Sequence, residues 1–409
     1  MKKAELLLPA GNMEKLVTAC LFGADAVYAG GREFSLRSFA GNLSRQEIKQ
    51  AAAYVQSQGK KLYIAVNALA YNQDLPVLIS YLEALNAFHV DGIIVSDLGV
   101  LRLAKRYAPD LAVTISTQAS ISNYEAAAVC RDLGASRIVL AREVPLQDMK
   151  EIKDKVDIEL EIFVHGAMCV SYSGRCLLSH YMTGRSANRG ECAHPCRYRY
   201  QLLEEKRPGE YYPIEEDERG TYILNSRDLC LLPELPRLLQ LPVDALKVEG
   251  RMKSPLYVAM VGSVYRQAID QYYKGAWDEE QAGKWMEELS SIATRPYTTG
   301  FLDGEAEDIQ DGNRSMLKNR ADFCGIVRDY HQGRRMVEIE QRSNFGVGEE
   351  LELLLPGGTV MAFPVEHLED EEGQALDRAR HPCQRVLIPW PEPIPAMSIL
   401  RRWYRNHEA

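Results

Sequence analysis

The feature that most constrains the fold is a repeat of short, near-continuous apolar runs separated by stretches of helical period. The runs are residues 5–11 (ELLLPAG), 25–31 (DAVYAGG), 61–67 (KLYIAVN), 92–97 (GIIVSD), 112–118 (AVTISTQ), 137–143 (RIVLARE) and 159–166 (ELEIFVHG). A strand that is apolar along its whole length belongs to a parallel sheet covered on both faces. The intervening segments, such as NMEKLVTACLFG, SRQEIKQAAAYVQSQG and NYEAAAVCRDLG, open on Asn or Ser and close on Gly, as capped helices do. Strand starts recur every 20 to 36 residues, a βα repeat rather than a solenoid period. TYILNS (221–226) and ALKVEG (245–250) continue the pattern, and SPLYVAMVGSVYRQAIDQYYKG makes a long closing helix.

Nine strand candidates compete for the eight places of a (β/α)8 TIM-like barrel, so one of them, in 198–226, is assigned to a hairpin in an insertion. An open doubly wound sheet is the rival, but no G-x-G-x-x-G follows the first strand. The expectation is a barrel, distorted if need be, over 1–295, with a Cys-rich insertion at 166–220. From 315 to 409 the texture changes to FCGIVRDY, RRMVEIEQ, GEELELLLPGGTVMAFPV and QRVLIPW. These short alternating strands, punctuated by Gly-Gly and Pro, predict a small C-terminal antiparallel β-barrel domain. Glu369 to Glu372 beside Gly373 read as a solvated turn.

Charge and hydropathy exclude some functions. With 48 Lys and Arg against 57 Asp and Glu, the formal charge of −9 argues against non-specific coating of nucleic acid, though not against a local basic site. No apolar run approaches the ~20 residues of a membrane span. The first apolar stretch stops at Pro9 and Gly11, so a cytoplasmic protein without membrane association is expected.

Nine cysteines are many for a reducing compartment, and Cys169, Cys176, Cys192, Cys196 and Cys230 fall close together. The first four are spaced x6, x15 and x3. Four thiolates after one strand suit a soft tetrahedral centre, either zinc or an iron–sulfur cluster. The spacing is neither that of zinc knuckles nor of a ferredoxin, and it lacks the C-x3-C-x2-C triplet of radical S-adenosylmethionine enzymes. If ELEIFVHG is the seventh strand, Cys169 lies just past its C-terminal end, where barrels place their chemistry; this favours a working cofactor over structural zinc. Arg175, Arg185, Arg189, Arg197 and Arg199 face only Glu191 in the same segment. Such a patch could hold a carboxylate, phosphates or the negative charge of a thiolate-bound cluster.

Strand ends supply the remaining candidates. Glu249, Arg251 and Lys253 close the strand ALKVEG and precede Ser254-Pro255, a good N-cap and N1 pair. They read as an acid/base carboxylate with a clamp for carboxylate or phosphate, or else as an ion pair fixing the loop. Arg37, Asn67, Gln118 and Arg142 occupy similar positions after earlier strands, and His165 immediately precedes the cysteine loop. Tyr198 and Tyr200, interleaved with Arg197 and Arg199, form a set suited to unpaired RNA bases, and Arg401-Arg402-Trp403-Tyr404-Arg405 offers a second contact of that kind.

Several long motifs in order carry a resemblance. Glu161-x-Phe163-x2-Gly166-Ala167-Met168-Cys169, followed by Ser173-Gly174-Arg175-Cys176-Leu177-Leu178-Ser179, resembles the signature of the collagenase-like peptidase family, the thirty-second among peptidases of unknown catalytic type. The resemblance runs almost end to end, through FSLRSFAGN, STQASISN, GECAHPCRYRY, LNSRDL, LKVEGRMKSPLYVA and RPYTTGFLDG. Peptidase motifs themselves are missing: there is no G-x-S-x-G and no H-E-x-x-H, and the cysteine-protease case rests on His165, His180 and His194 near the cysteines.

The resemblance implies oxygen-independent hydroxylation, by a tRNA uridine hydroxylase acting at the wobble uridine to give 5-hydroxyuridine. It also implies a four-iron four-sulfur (4Fe-4S) cluster on Cys169, Cys176, Cys192 and Cys196, and prephenate as co-substrate. Relatives differ in the fourth ligand, so Cys230 stands as a substitute for Cys196 or Cys169; the favoured alternative is a core thiol at the end of a strand. The partners implied are tRNA and a second family member. Alternatives are a collagenase-like peptidase, or a non-catalytic iron–sulfur partner in a sister pathway acting on ubiquinone or ribosomal RNA.

Overall fold

The computed structural model describes residues 3–35, 41–169, 171–172, 176–185, 187, 191–197, 216–217, 220–221, 226–304, 317 and 320–404. Seven strands alternate with six helices in unbroken order. They are β1 (Glu5–Ala10), α1 (Met13–Leu21), β2 (Ala26–Gly30), α2 (Arg45–Ser57), β3 (Lys61–Val66), α3 (Leu75–Ala87), β4 (Gly92–Val95), α4 (Leu98–Tyr107), β5 (Ala112–Ile115), α5 (Tyr124–Asp132), β6 (Arg137–Val139), α6 (Leu146–Lys155) and β7 (Glu159–Ala167). After the cysteine-rich excursion with α7 (Leu178–Thr183), the chain forms β8 (Glu216–Asp217), β9 (Gly220–Thr221), β10 (Asp228–Cys230), α8 (Leu235–Gln240) and β11 (Ala245–Val248). Two helices, α9 (Pro255–Tyr273) and α10 (Glu279–Ser291), and the short β12 (Tyr297–Thr298) follow.

Strand β11 pairs in parallel with both β1 and β7, closing an eight-stranded barrel of β1–β7 and β11. The ninth candidate, TYILNS, takes no place in it. Its first residue lies in β9, which pairs antiparallel with β8, and 222–225 lie outside the described residues. Strand β10 runs antiparallel along β7, extended by β12. The polar residues chosen as helix starts do cap: Asn12, Ser44, Asn123 and Ser254 accept from the backbone N–H of Lys15, Glu47, Ala126 and Tyr257. Each such cap contributes about 1 kcal/mol.

The main core lies between strands and helices, with residues such as Leu6, Leu8, Val27, Ile64 and Ile93 pointing outward from the barrel. The barrel interior is a separate, mixed filling. Its apolar part is Leu7, Ala26, Tyr28, Tyr63 and Ile94. Its polar part is a buried ion network in which Arg137 Nη1 lies 2.9 Å from Glu5 and 3.2 Å from Glu161, while Glu161 also receives Lys247 Nζ at 2.7 Å.

The C-terminal part is an antiparallel sheet domain built from β13 (Ala321–His331), β14 (Met336–Gln341), β15 (Phe345–Gly346), β16 (Glu350–Leu354), β17 (Val360–Pro364), β18 (Arg378–Ala379), β19 (Arg385–Pro389) and β20 (Ile399–Trp403). Six of these strands pair in the order β17-β16-β20-β13-β14-β19, and β15 pairs with β18. The sheet is tied to the barrel helices by ions. Glu14 on α1 meets Arg328 at 2.5 Å and Arg342 at 2.6 Å, and Arg401 bonds Glu288 on α10.

These ties correct the reading of the C-terminal arginines as an RNA contact. Arg401 is 1% exposed and also holds Glu352 at 2.8 Å, while Arg402 is taken up by Glu349 and Asp322. Strand β20 lies between β13 and β16 rather than at an edge; Arg401 ties it to α10, and Arg402 pairs with carboxylates of the sheet domain itself. Arg405 lies outside the described residues.

Candidate active site

Parallel barrel strands deliver alternate side chains to the interior and place their C-terminal ends on one face. Here that face opens into a cavity of about 420 Å³. Its walls are the inward residues Tyr28, Ala65, Ile94, Val139, Phe163 and Lys247, one from each of six strands. Above them the strand ends contribute Asn67, Gln118, Arg142, Glu249, Arg251 and Lys253, all of them expected from sequence. Cys169, Cys176, Cys192 and Cys196 line the same cavity. Arg37 lies outside the described residues, as do Arg175, Arg189, Tyr198, Arg199 and Tyr200.

Neighbouring groups fix each cation. Arg142 stacks with its guanidinium carbon 3.8 Å from the centre of the Phe163 ring. Arg251 is buried, and its Nη2 donates to Ser35 Oγ and Asn42 Oδ1, both at 2.8 Å, so it anchors the segments flanking 36–40. Gly30 makes room for that guanidinium, since a Cβ there would stand 2.5 Å from Nη2. Lys247 forms the floor, 4.5 Å from the Tyr28 ring centre, and burial pulls its ammonium below the usual lysine range against the opposing pull of Glu161. On the opposite wall, Asn67 Nδ2 donates to Gln118 Oε1 at 3.0 Å, and Ser116 Oγ bonds the same oxygen.

Two expectations are corrected. His165 does not face the cavity. The ladder between β7 and β11 slips after Lys247, so that Lys247 pairs with Phe163 but Val248 pairs with His165. A bulge of this kind breaks the in–out alternation. It turns His165 into a cluster of Tyr257, Tyr265 and Tyr297, with ring centres 5.9, 5.7 and 5.2 Å away. Burial, with a further push from Lys253, lowers its pKa to about 3, so it stays neutral and is withdrawn from the role of catalyst. Cys230 is no substitute ligand either. It is buried behind β7 with Sγ 3.9 Å from Tyr265 Oη and 3.7 Å from Met286 Sδ, and burial raises its thiol to about 11.

The cysteine donors suit a soft metal or cluster in their chemistry. Cys169 lies within electrostatic reach of Cys176, Cys192 and Arg142, and burial pushes its thiol up. Among the described residues, however, no three His, Cys, Asp or Glu side chains converge as a metal-holding group. Ligation therefore requires the thiols that line this cavity to turn toward a common point.

Sequence reading passed over Lys247 and the buried acids beneath it. Their signal was present: Glu161 in ELEIFV, Lys247 in ALKVEG and Arg137 in RIVLARE are charges set in largely apolar runs, which need partners when buried.

Residues 11–312 match peptidase family U32, and residues 319–401 match the peptidase family U32 C-terminal domain. The chain belongs to family U32. This U32 chain is 40% identical to a tRNA hydroxylation protein P1 of Bacillus subtilis, in a match covering 98% of this chain and 95% of that protein. It is 33% identical to a tRNA hydroxylation protein P of Escherichia coli, covering 96% and 95%. A 23S rRNA 5-hydroxycytidine C2501 synthase of Escherichia coli is 36% identical over 66% of the U32 chain, but over only 39% of its own length. Among the described residues, no helix is long and apolar enough to cross a membrane.

Proposed function

We propose that this chain hydroxylates tRNA, converting the wobble uridine to 5-hydroxyuridine without molecular oxygen. The observation that carries the reading is near-complete, two-way coverage by a relative named for tRNA hydroxylation. The cavity supports it: Arg142, Lys247, Arg251 and Lys253 line it together with the four cysteines. In this proposal Cys169, Cys176, Cys192 and Cys196 hold a four-iron four-sulfur cluster, which when bound supplies electron transfer. Arg142, beside Cys169, offsets the negative charge of the thiolates. Arg251 and Lys253 orient the carboxylates of a prephenate co-substrate, with Asn67 and Gln118 across the cavity to receive its polar groups. Glu249, at the end of β11, moves protons at the rim. A second family member is the proposed protein partner.

The test is nucleoside analysis of total tRNA from a deletion strain. Loss of 5-hydroxyuridine derivatives, restored by the wild-type gene and not by Cys176→Ser, supports the reading. Unchanged tRNA alongside altered ribosomal RNA or quinone hydroxylation overturns it in favour of a sister pathway, and casein cleavage abolished by a cysteine substitution overturns it in favour of a peptidase. Anaerobically purified protein is expected to hold close to four irons per chain, lost in Cys176→Ser and Cys192→Ser and retained in Cys20→Ser, Cys230→Ser and Cys383→Ser. Stoichiometric zinc without iron would rule out the cluster.

A further inference from the structure

Large apolar side chains that stay exposed on an otherwise well-packed protein mark contact surfaces when they cluster. Among the described residues, fourteen are exposed, and they are not spread evenly. Eight of them, Leu69, Tyr71, Leu98, Tyr172, Leu177, Tyr181, Met182 and Met252, follow the C-terminal ends of β3, β4, β7 and β11. They therefore stand on the face where the cavity opens. Leu178, next to Leu177, lines the cavity itself.

Three of the eight are tyrosines, and Tyr181, on α7, is 86% exposed. Helix α7 is not loose: Ser179 is fully buried, its Oγ donates to Arg185 O at 2.8 Å, and it accepts from Ala193 N at 3.0 Å. Tyr181 is thus held out to solvent by an anchored turn. The cavity below this rim is lined by Arg142, Lys247, Arg251 and Lys253 against one carboxylate, Glu249. In sequence the segment 175–199 carries five arginines and one glutamate, and Arg185, just after α7, is exposed. Exposed aromatic faces amid positive charge, on a chain of net charge −9, fit a polyanion that has flat apolar surfaces of its own. Unpaired RNA bases have that character, because stacking on aromatic rings accompanies backbone attraction in single-strand recognition.

We propose that Tyr71, Tyr172 and Tyr181 form a stacking platform for the bases that flank the nucleotide entering the cavity. This rests on the tRNA reading above and deepens it. A base that is splayed out for modification leaves its neighbours unstacked. Tyrosines at the rim replace that lost stacking.

The experiment measures binding of an unmodified anticodon stem-loop RNA to the full-length protein. Tyr181→Ala, Tyr71→Ala and Tyr172→Ala are compared with the corresponding Phe substitutions, and circular dichroism verifies folding. Alanine at a stacking position is expected to weaken binding roughly 5- to 150-fold, with Phe within about twofold of wild type. Binding by wild type that no alanine variant alters would overturn the platform while leaving the tRNA reading intact. No binding of the stem-loop by wild type, at low salt and with loaded cofactor, would instead count against the tRNA reading and remove the platform with it. Unaltered RNA binding together with loss of a co-purifying protein chain would assign the rim to a protein partner and overturn the proposal.

Discussion

The buried ion network under the cavity makes a sharp test, because one carboxylate serves two cations. Glu161 is 1% exposed and accepts from Lys247 at 2.7 Å and Arg137 at 3.2 Å. In Glu161→Gln, Arg137 keeps Glu5 at 2.9 Å and Glu159 at 2.8 Å. Lys247 keeps no carboxylate within salt-bridge distance among the described residues. Removing one partner of a buried pair costs about 3–5 kcal/mol. The lysine can escape by releasing its proton, which caps the penalty at the cost of neutralising an unfolded-state lysine: about 4.6 kcal/mol at pH 7 and about 1.9 kcal/mol at pH 9. Burial lowers the folded-state pKa of Lys247, so between that value and about 10.4 the unfolded chain binds the extra proton, and the variant's stability rises with pH.

At an unfolding entropy of about 2 cal/mol/K per residue over 409 residues, the loss at pH 7 corresponds to a Tm lowered by roughly 4–6 °C. Thermal denaturation followed by circular dichroism at pH 7 and pH 9 reads both quantities. Adding Lys247→Met to Glu161→Gln removes the stranded charge and is expected to recover much of the loss. A Glu161→Gln protein that melts with wild type, a gap that does not narrow toward pH 9, or a double variant no more stable than the single one would refute the argument.

Two further outcomes follow from the cavity wall. Gly30→Ala brings a Cβ to 2.5 Å from Arg251 Nη2, so it is expected to displace the guanidinium and lower 5-hydroxyuridine in a complemented deletion strain, as Arg251→Lys is also expected to do, with folding checked by thermal melt. His165 has a folded pKa of about 3 against an ordinary 6.5, so wild type is expected to lose about 1.4 kcal/mol per pH unit as pH falls below 6.5. His165→Phe, keeping an aromatic ring among Tyr257, Tyr265 and Tyr297, should show a flatter acid limb in denaturant titrations; an identical slope would show that another group controls it.

The sequence by itself determined the barrel, because its information is periodic and local. Near-continuous apolar runs require a sheet covered on both faces, and Asn12, Ser44, Asn123 and Ser254 mark where helices begin. It also placed Asn67, Gln118, Arg142, Glu249, Arg251, Lys253 and the four cysteines on one face, since parallel strands end together. Orientation was decided elsewhere. Whether His165 faces the cavity depends on a one-residue slip in a ladder with a strand some eighty residues later in the chain, and no local pattern records a long-range register. The same holds for Arg401, whose charge reads as a surface contact until β20 is seen between β13 and β16, with Glu288 and Glu352 around it. Lys247 shows the limit from the other side. Its charge within an apolar strand announced a partner, but only the closing of β11 against β7 made that partner Glu161 and turned the pair into the floor of a cavity.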